Sequence, residues 1–251
     1  MTTTAPLVDI IAGARPNFMK IAPILRAIGE RQADPAIRSR LRCRLVHTGQ
    51  HYDARMSGDF FTQLGIPEPD VNLEVGSGTQ AEQTAAIMTR YERLLLDAPS
   101  ALCLVVGDVT STMACAIAAQ KLRVPVAHVE GGIRSGDWTM PEEINRLVTD
   151  AITNWFFTTS EVANANLRRA GVRDEAIFFV GNTMIDTLLA NLPQLRAPAS
   201  RPCRSSATAS WAAWARPRAS PTSAACTPTC MAKSARWCTA WLTSCWNACA
   251  R

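Results

Sequence analysis

The chain lacks the marks of export and of membrane insertion. Its amino terminus, MTTTAPLVDIIAGARP, has neither a basic start nor a long apolar core, and no run approaches the ~20 apolar residues that a membrane helix requires. A soluble, cytoplasmic protein without a membrane partner is the expectation. Two phosphate-binding fingerprints are also missing. Neither GxxxxGK followed by Ser or Thr nor GxGxxG occurs, which excludes a P-loop and the usual dinucleotide-binding turn.

The largest deficit is local. Residues 199–251 contain no Asp or Glu, and no Gly, Val, Ile, Phe, Tyr or His. They nevertheless hold 7 Lys or Arg, 6 of the 9 cysteines and 5 of the 7 tryptophans. Without glycine, valine or isoleucine there is little from which to build turns and strands, and the Trp and Cys positions follow no helical stripe. A metal or disulfide module is disfavoured because the segment has no His and no CxxC pair. Arg and Trp together can stack on nucleic-acid bases. The composition fits better an out-of-frame reading of a GC-rich gene, which the neighbouring frames of the gene would test. The expected division is therefore a domain at 1–198 and an aberrant, disordered tail at 199–251. The rest of the chain carries 19 basic against 21 acidic groups, so the formal charge of +5 belongs to the tail and no nucleic-acid partner is expected.

Residues 1–198 read differently. Short apolar runs at 7–12, 43–48, 101–106, 125–130, 155–158 and 177–180 alternate with amphipathic stretches bounded by helix-start and helix-stop residues. That rhythm predicts an α/β fold with a parallel, Rossmann-like sheet and flanking helices. Most of the runs are apolar throughout, as strands covered on both faces require. Each ends in a polar or glycine-containing turn, and ligands of open α/β sheets sit beyond such carboxyl ends.

In GARPNFMK, Gly13 permits a tight turn and Pro16 suits the first turn of a helix, while Arg15 and Lys20 beside the helix amides favour an anion. Spacing alone also allows Lys20 a solvated helix face. In VGDVTSTMACAIAAQKL, Asp108 follows the strand, and Thr110, Ser111 and Thr112 are available to cap the next helix. Cys103 and Cys115 fall on apolar faces and read as core, and His47 and His128 read as structural residues at strand ends.

The densest cluster of charge is HVEGGIRSGDWTMPEEINR, from His128 to Arg146. Glu130 ends a buried strand, where desolvation raises a carboxyl pKa unless a cation such as Arg134 compensates. Pro141, Glu142 and Glu143 suit the positive end of a helix. Three carboxylates and two arginines at one strand terminus nevertheless exceed what capping needs. Differing environments are how acid and base roles are divided.

Several long segments, GARPNFMKIAPI, HTGQHYDARMSGDFFTQLGIPEPDVNL, VGDVTSTMACAIAAQKLRVPVAHVEGGIRS, MPEEINRLVTDAI and VGNTMIDTL, occur in an order that resembles the non-hydrolysing UDP-N-acetylglucosamine 2-epimerases. The resemblance covers roughly residues 7–195 and implies the first half of a two-domain, GT-B-type fold. It implies an isomerase of nucleotide sugars for cell-envelope polysaccharide synthesis, working without a redox cofactor or metal, with a UDP-sugar as substrate and a homodimer as the usual assembly. UDP is eliminated to leave 2-acetamidoglucal, then added back with the proton delivered to the opposite face of C2. The family's catalytic acidic positions fall on Asp108, Glu130 and Glu142, and its early basic pair on Arg15 and Lys20. Arg134, beside Glu130 by charge, joins them as a substrate-binding candidate. Gln50 and His51 match a segment that binds a second UDP-sugar as activator, and Glu143 and Arg146 are expected to fix the helix. HTGQHYD and MPEEINR also resemble epimerases of UDP-diacetamido-uronic acids. The family's second domain, with its His-Arg-Arg-Glu-Asn-like motif, does not follow residue 195. Little or no turnover, or survival as a binding module, is therefore expected of this chain.

Overall fold

The computed structural model describes residues 5–34, 41–49 and 64–196. The expected activator residues Gln50 and His51, and the expected tail at 199–251, lie outside the described residues. Among the described residues, seven strands form one parallel sheet in the order β3-β2-β1-β4-β5-β6-β7. They are β1 (Leu7–Ala12), β2 (Arg42–His47), β3 (Val71–Asn72), β4 (Leu102–Val106), β5 (Val126–Val129), β6 (Trp155–Thr158) and β7 (Ile177–Phe179). Six of these coincide with the expected runs to within one residue at each end. The exception is β3, whose two residues are too few to show a pattern and pair with Val46 and His47 only once the sheet exists.

The helices are α1 (Arg15–Ala33), α2 (Gln80–Asp97), α3 (Thr110–Lys121), α4 (Pro141–Ala151), α5 (Glu161–Arg169) and α6 (Thr183–Arg196). Alternation along the strands sends side chains to two cores. Val8, Ile10, Ala12, Leu104 and Val106 pack with Phe18, Ile21 and Ile28 of α1, while Ile11, Cys103 and Val105 pack with Ile87 and Tyr91 of α2 and Cys115 of α3. Burying one such aliphatic side chain is worth about 2 kcal/mol. Burial pushes the thiols of Cys103 and Cys115 up, so they serve as apolar filler, in keeping with the core assignment.

One charged group crosses this second core. Asp9 and Arg44 face each other on β1 and β2, and both Arg44 Nε and Nη2 donate to the Asp9 carboxylate, at 2.7 and 2.8 Å. The Tyr91 hydroxyl donates to the same carboxylate at 2.9 Å. The pair is thus bidentate and satisfied, the condition under which a buried charge is tolerated.

Local sequence explains most helix starts. Pro16 sits in the first turn of α1, and Asn17 Oδ1 accepts the Ala14 amide at 3.1 Å. Pro141 opens α4 with Glu142 and Glu143 in its first turn. The expected cap on α3 is not formed. Val109 occupies that position, and Thr110 and Thr112 lie inside the helix, donating to Gln80 Oε1 at 3.0 Å and to the Val106 carbonyl at 2.9 Å. Gly107, at φ +71°, turns the chain so sharply that the helix begins before these hydroxyls can reach back to its amides.

Candidate active site

Strands β1 and β4 are neighbours, yet the chain leaves them toward opposite sides of the sheet, which opens a crevice at their carboxyl ends. The turn after β1, the Gly107 turn after β4 and the turn after β5 all border it. From α1, Lys20 reaches across and places Nζ 2.5 Å from Glu130 Oε2. Neither side chain is solvated, at 12 % and 9 % exposure. The cation beside Glu130 is therefore Lys20 and not Arg134. The reason is direction: α1 lies over the ends of β1 and β4, whereas Arg134 is carried away by the glycines that follow Glu130.

Gly107 lies against this pair. A Cβ there would stand 3.0 Å from Lys20 Nζ and 3.8 Å from Glu130 Oε2, and its left-handed backbone already disfavours a side chain. Asn17 Nδ2 donates to the Val106 carbonyl at 2.6 Å, so α1 also holds the last residue of β4. Glu130 itself has φ +71°, unusual for a residue with a Cβ and costing about 1 kcal/mol or more. Such strain persists only where surrounding bonds determine it.

Asp108 is held by α4. Arg146 Nη2 donates to Asp108 Oδ2, and Asn145 Nδ2 donates to the Asp108 carbonyl at 2.9 Å. Arg146 Nη1 also donates to Glu143 Oε2 at 2.9 Å. The same glutamate accepts the Ser135 amide and hydroxyl, both at 2.9 Å, and the Gly136 amide at 3.2 Å. Burial alone would raise the Glu143 carboxyl, but these donors overcome it and hold it at about 2. Glu143 was expected to fix the helix; it instead ties the Ser135–Gly136 loop to the start of α4, and Arg146 reaches Asp108 as well.

Glu142, next to it, is half-buried in the first turn of α4 and has no side-chain partner among the described residues. Arg15 is exposed at the start of α1, likewise without a partner among the described residues. Arg134 Nη1 donates to Asp150 Oδ2 at 2.6 Å and to the Ile133 carbonyl at 2.8 Å. The structure therefore brings Lys20, Asp108 and Glu130 to one turn, puts Glu142 and Arg15 at helix starts, and places Arg134 on Asp150.

Sequence reasoning passed over Asn17, Asn145, Asp150 and the Arg146 contact with Asp108. Asp150 is 22 residues from its partner His128, and nothing local in the chain announces the pairing. Among the described residues no His, Cys, Asp and Glu cluster has metal-holding geometry, and no helix is long and apolar enough to cross a membrane.

The sequence family described as UDP-N-acetylglucosamine 2-epimerase matches residues 35–212, more than half of the chain. The UDP-N-acetylglucosamine 2-epimerase of Methanocaldococcus jannaschii is 42 % identical over 184 residues, which are 73 % of this chain and 48 % of that protein. The UDP-2,3-diacetamido-2,3-dideoxy-D-glucuronate 2-epimerase of Pseudomonas aeruginosa is 44 % identical over 181 residues, 71 % of this chain and 49 % of that protein. The fold matches the crystal structure of the M. jannaschii UDP-GlcNAc 2-epimerase in complex with UDP-GlcNAc and UDP, with a TM-score of 0.71 at 40 % identity, over 76 % of this chain and 51 % of that one. The chain spans about half the length of the relatives it matches. Sequence family, identity and sheet agree: this chain belongs to the UDP-N-acetylglucosamine 2-epimerase family.

Proposed function

We propose that the described domain supplies the proton-handling half of a 2-epimerase acting on UDP-N-acetylglucosamine. The observation that carries this reading is the grouping of Glu130, Lys20 and Asp108 about Gly107, at the crevice where a parallel sheet binds ligands. Inversion at C2 begins with a carboxylate taking the C2 proton. The electron pair left at C2 forms the C1–C2 double bond as the bond from C1 to the UDP oxygen breaks, giving 2-acetamidoglucal and UDP. In the return step the glycal takes a proton at C2 from the opposite face, and UDP re-forms its bond to C1.

Such a sequence needs two proton-handling groups on opposite faces and cations near the departing diphosphate. Glu130 stands on Lys20, Asp108 on Arg146, and Glu142 on the amino-terminal turn of α4. Three carboxylates in three environments are suited to divide acid and base roles. Arg15, exposed at the start of α1, is suited to an anionic oxygen arriving from solvent.

A second substrate has specific support. The diacetamido-glucuronate 2-epimerase is as similar to this chain as the UDP-GlcNAc enzymes are, and the same inversion at C2 serves both sugars. The domain division at residue 198 and a dimeric assembly belong to the same proposal. The test is to incubate the full chain with each UDP-sugar in D2O and follow deuterium at C2 by NMR. Deuterium entering one sugar and not the other identifies the substrate. Binding of both without exchange would replace catalysis by a binding role.

A further inference from the structure

His128 lies on β5 and is buried at 1 % exposure. Its Nε2 is 2.8 Å from the Gly107 carbonyl, and its Nδ1 is 2.7 Å from Asp150 Oδ1. A carbonyl oxygen only accepts, so Nε2 donates to Gly107. Asp150 is held as a carboxylate. Burial would raise it, but the bond and charge of His128, with Arg134, overcome that and keep it below the usual carboxylate range. Nδ1 faces that carboxylate, so the ring bridges Asp150 and the Gly107 carbonyl.

The other carboxylate oxygen, Asp150 Oδ2, accepts the Gly132 amide at 3.0 Å and Arg134 Nη1 at 2.6 Å. Glu130 therefore sits between two residues, two positions before it and two after, that are both tied to the same carboxylate. The Glu130 amide is tied as well, donating to the Phe157 carbonyl at 2.8 Å. These bonds account for a strained φ at a non-glycine residue. Gly131 leaves the space they need, since a Cβ there would meet Phe156 at 2.8 Å and both Asp150 Oδ1 and His128 Nδ1 at 3.3 Å. Through Gly107 the same imidazole reaches the turn that presents Asp108.

We propose that His128 and Asp150 are positioning residues, a buried pair that sets the Glu130 and Asp108 turns at one fixed separation without touching substrate. Its catalytic consequence rests on the reading given under Proposed function. Its structural content does not. The charged and titratable groups around the imidazole are Asp150 on α4, Arg134 after β5, and Lys20 and Glu130 beyond Gly107.

The first test is NMR of the full chain carrying 15N-labelled histidine at pH 7.5, with hydrogen exchange at Gly132. The His128 Nε2 proton, facing the Gly107 carbonyl, and the Gly132 amide proton are both expected to be protected from exchange. A bare Nε2 or an unprotected Gly132 amide overturns the pair even if no variant can be made. The second test is Asp150→Asn, assayed for deuterium at C2 of UDP-GlcNAc. Turnover is expected to fall about a hundredfold with KM within about twofold, because a misplaced group costs rate and leaves binding intact. Unchanged turnover overturns the proposal, and so does a loss confined to KM. If the unsubstituted chain exchanges no deuterium, the catalytic reading falls, and the pair is decided by the Nε2 proton and Gly132 protection alone.

Discussion

Lys20 Nζ stands 2.5 Å from Glu130 Oε2, joining the helix after the first strand to the residue after the fifth across 110 positions of sequence. Because both side chains are largely withdrawn from water, removing one strands the other. Lys20→Met is expected to destabilise the fold by about 3 kcal/mol, the scale for breaking a buried pair on one side. The double variant Lys20→Met with Glu130→Gln is expected to recover part of that loss. Urea unfolding of the four proteins of this cycle measures the coupling, and a coupling near zero would show the contact to be incidental.

The three candidate carboxylates can be separated from one another by activity. Asp108→Asn, Glu130→Gln and Glu142→Gln keep shape and remove the charge. Each that handles a proton at C2 is expected to slow deuterium exchange by about a hundredfold or more, the range for general acid or base catalysis. Glu142→Gln is the most informative, since no side chain partner among the described residues depends on it and its fold is expected to be unaffected. Unaltered exchange in any one of the three removes that residue from the mechanism.

Glu143 makes acid stability a specific expectation. Its carboxyl is lowered from the ordinary 4.5 to about 2, against burial, by the Ser135 and Gly136 amides, the Ser135 hydroxyl and Arg146. A depressed folded-state value contributes stability that is fully present above the unfolded value and lost as pH falls through the folded one. The thermal midpoints of the natural chain and of Glu143→Gln should therefore differ most above about pH 4.5 and converge toward about pH 2. Midpoints that stay a constant distance apart across this window would refute the assignment.

The buried Asp9 and Arg44 pair predicts a larger, purely structural loss. Arg44→Met leaves a carboxylate with 0 % exposure that, among the described residues, only the Tyr91 hydroxyl supports. About 3–5 kcal/mol is expected to be lost, which can unfold a domain of this size. Asp9→Asn with Arg44→Met, which removes both charges, is expected to lose less. Denaturant midpoints compare the two, and equal losses would mean that the charge is not the cause.

Much of the fold was legible in residues 1–198 because strands covered on both faces leave a mark that needs no partner to be read, an apolar run of four to six residues followed by a polar turn. Val71–Asn72 escaped that reading because a two-residue strand has no period and is defined only by its neighbour. The cap foreseen on α3 failed because the helix begins at Thr110, which leaves the hydroxyls inside its first turn and Val109 at the cap. The candidate carboxylates were identifiable from resemblance and from the crowding of charge, but their partners were not. Lys20 was weighed as a solvated residue and Arg134 as the counterion of Glu130; tertiary structure reversed both.

By itself, then, the order of residues determined which segments become parallel strands and which turns carry charge, because burial period and turn chemistry act over a few neighbouring positions; the family followed from the resemblance of long motifs. Only the tertiary structure decided that Lys20 and not Arg134 neutralises Glu130, that Arg146 holds Asp108, and that Asp150 ties His128 to Gly132. Those choices depend on where helices come to rest on the sheet, and a contact between residues 16 to 110 positions apart has no local signature.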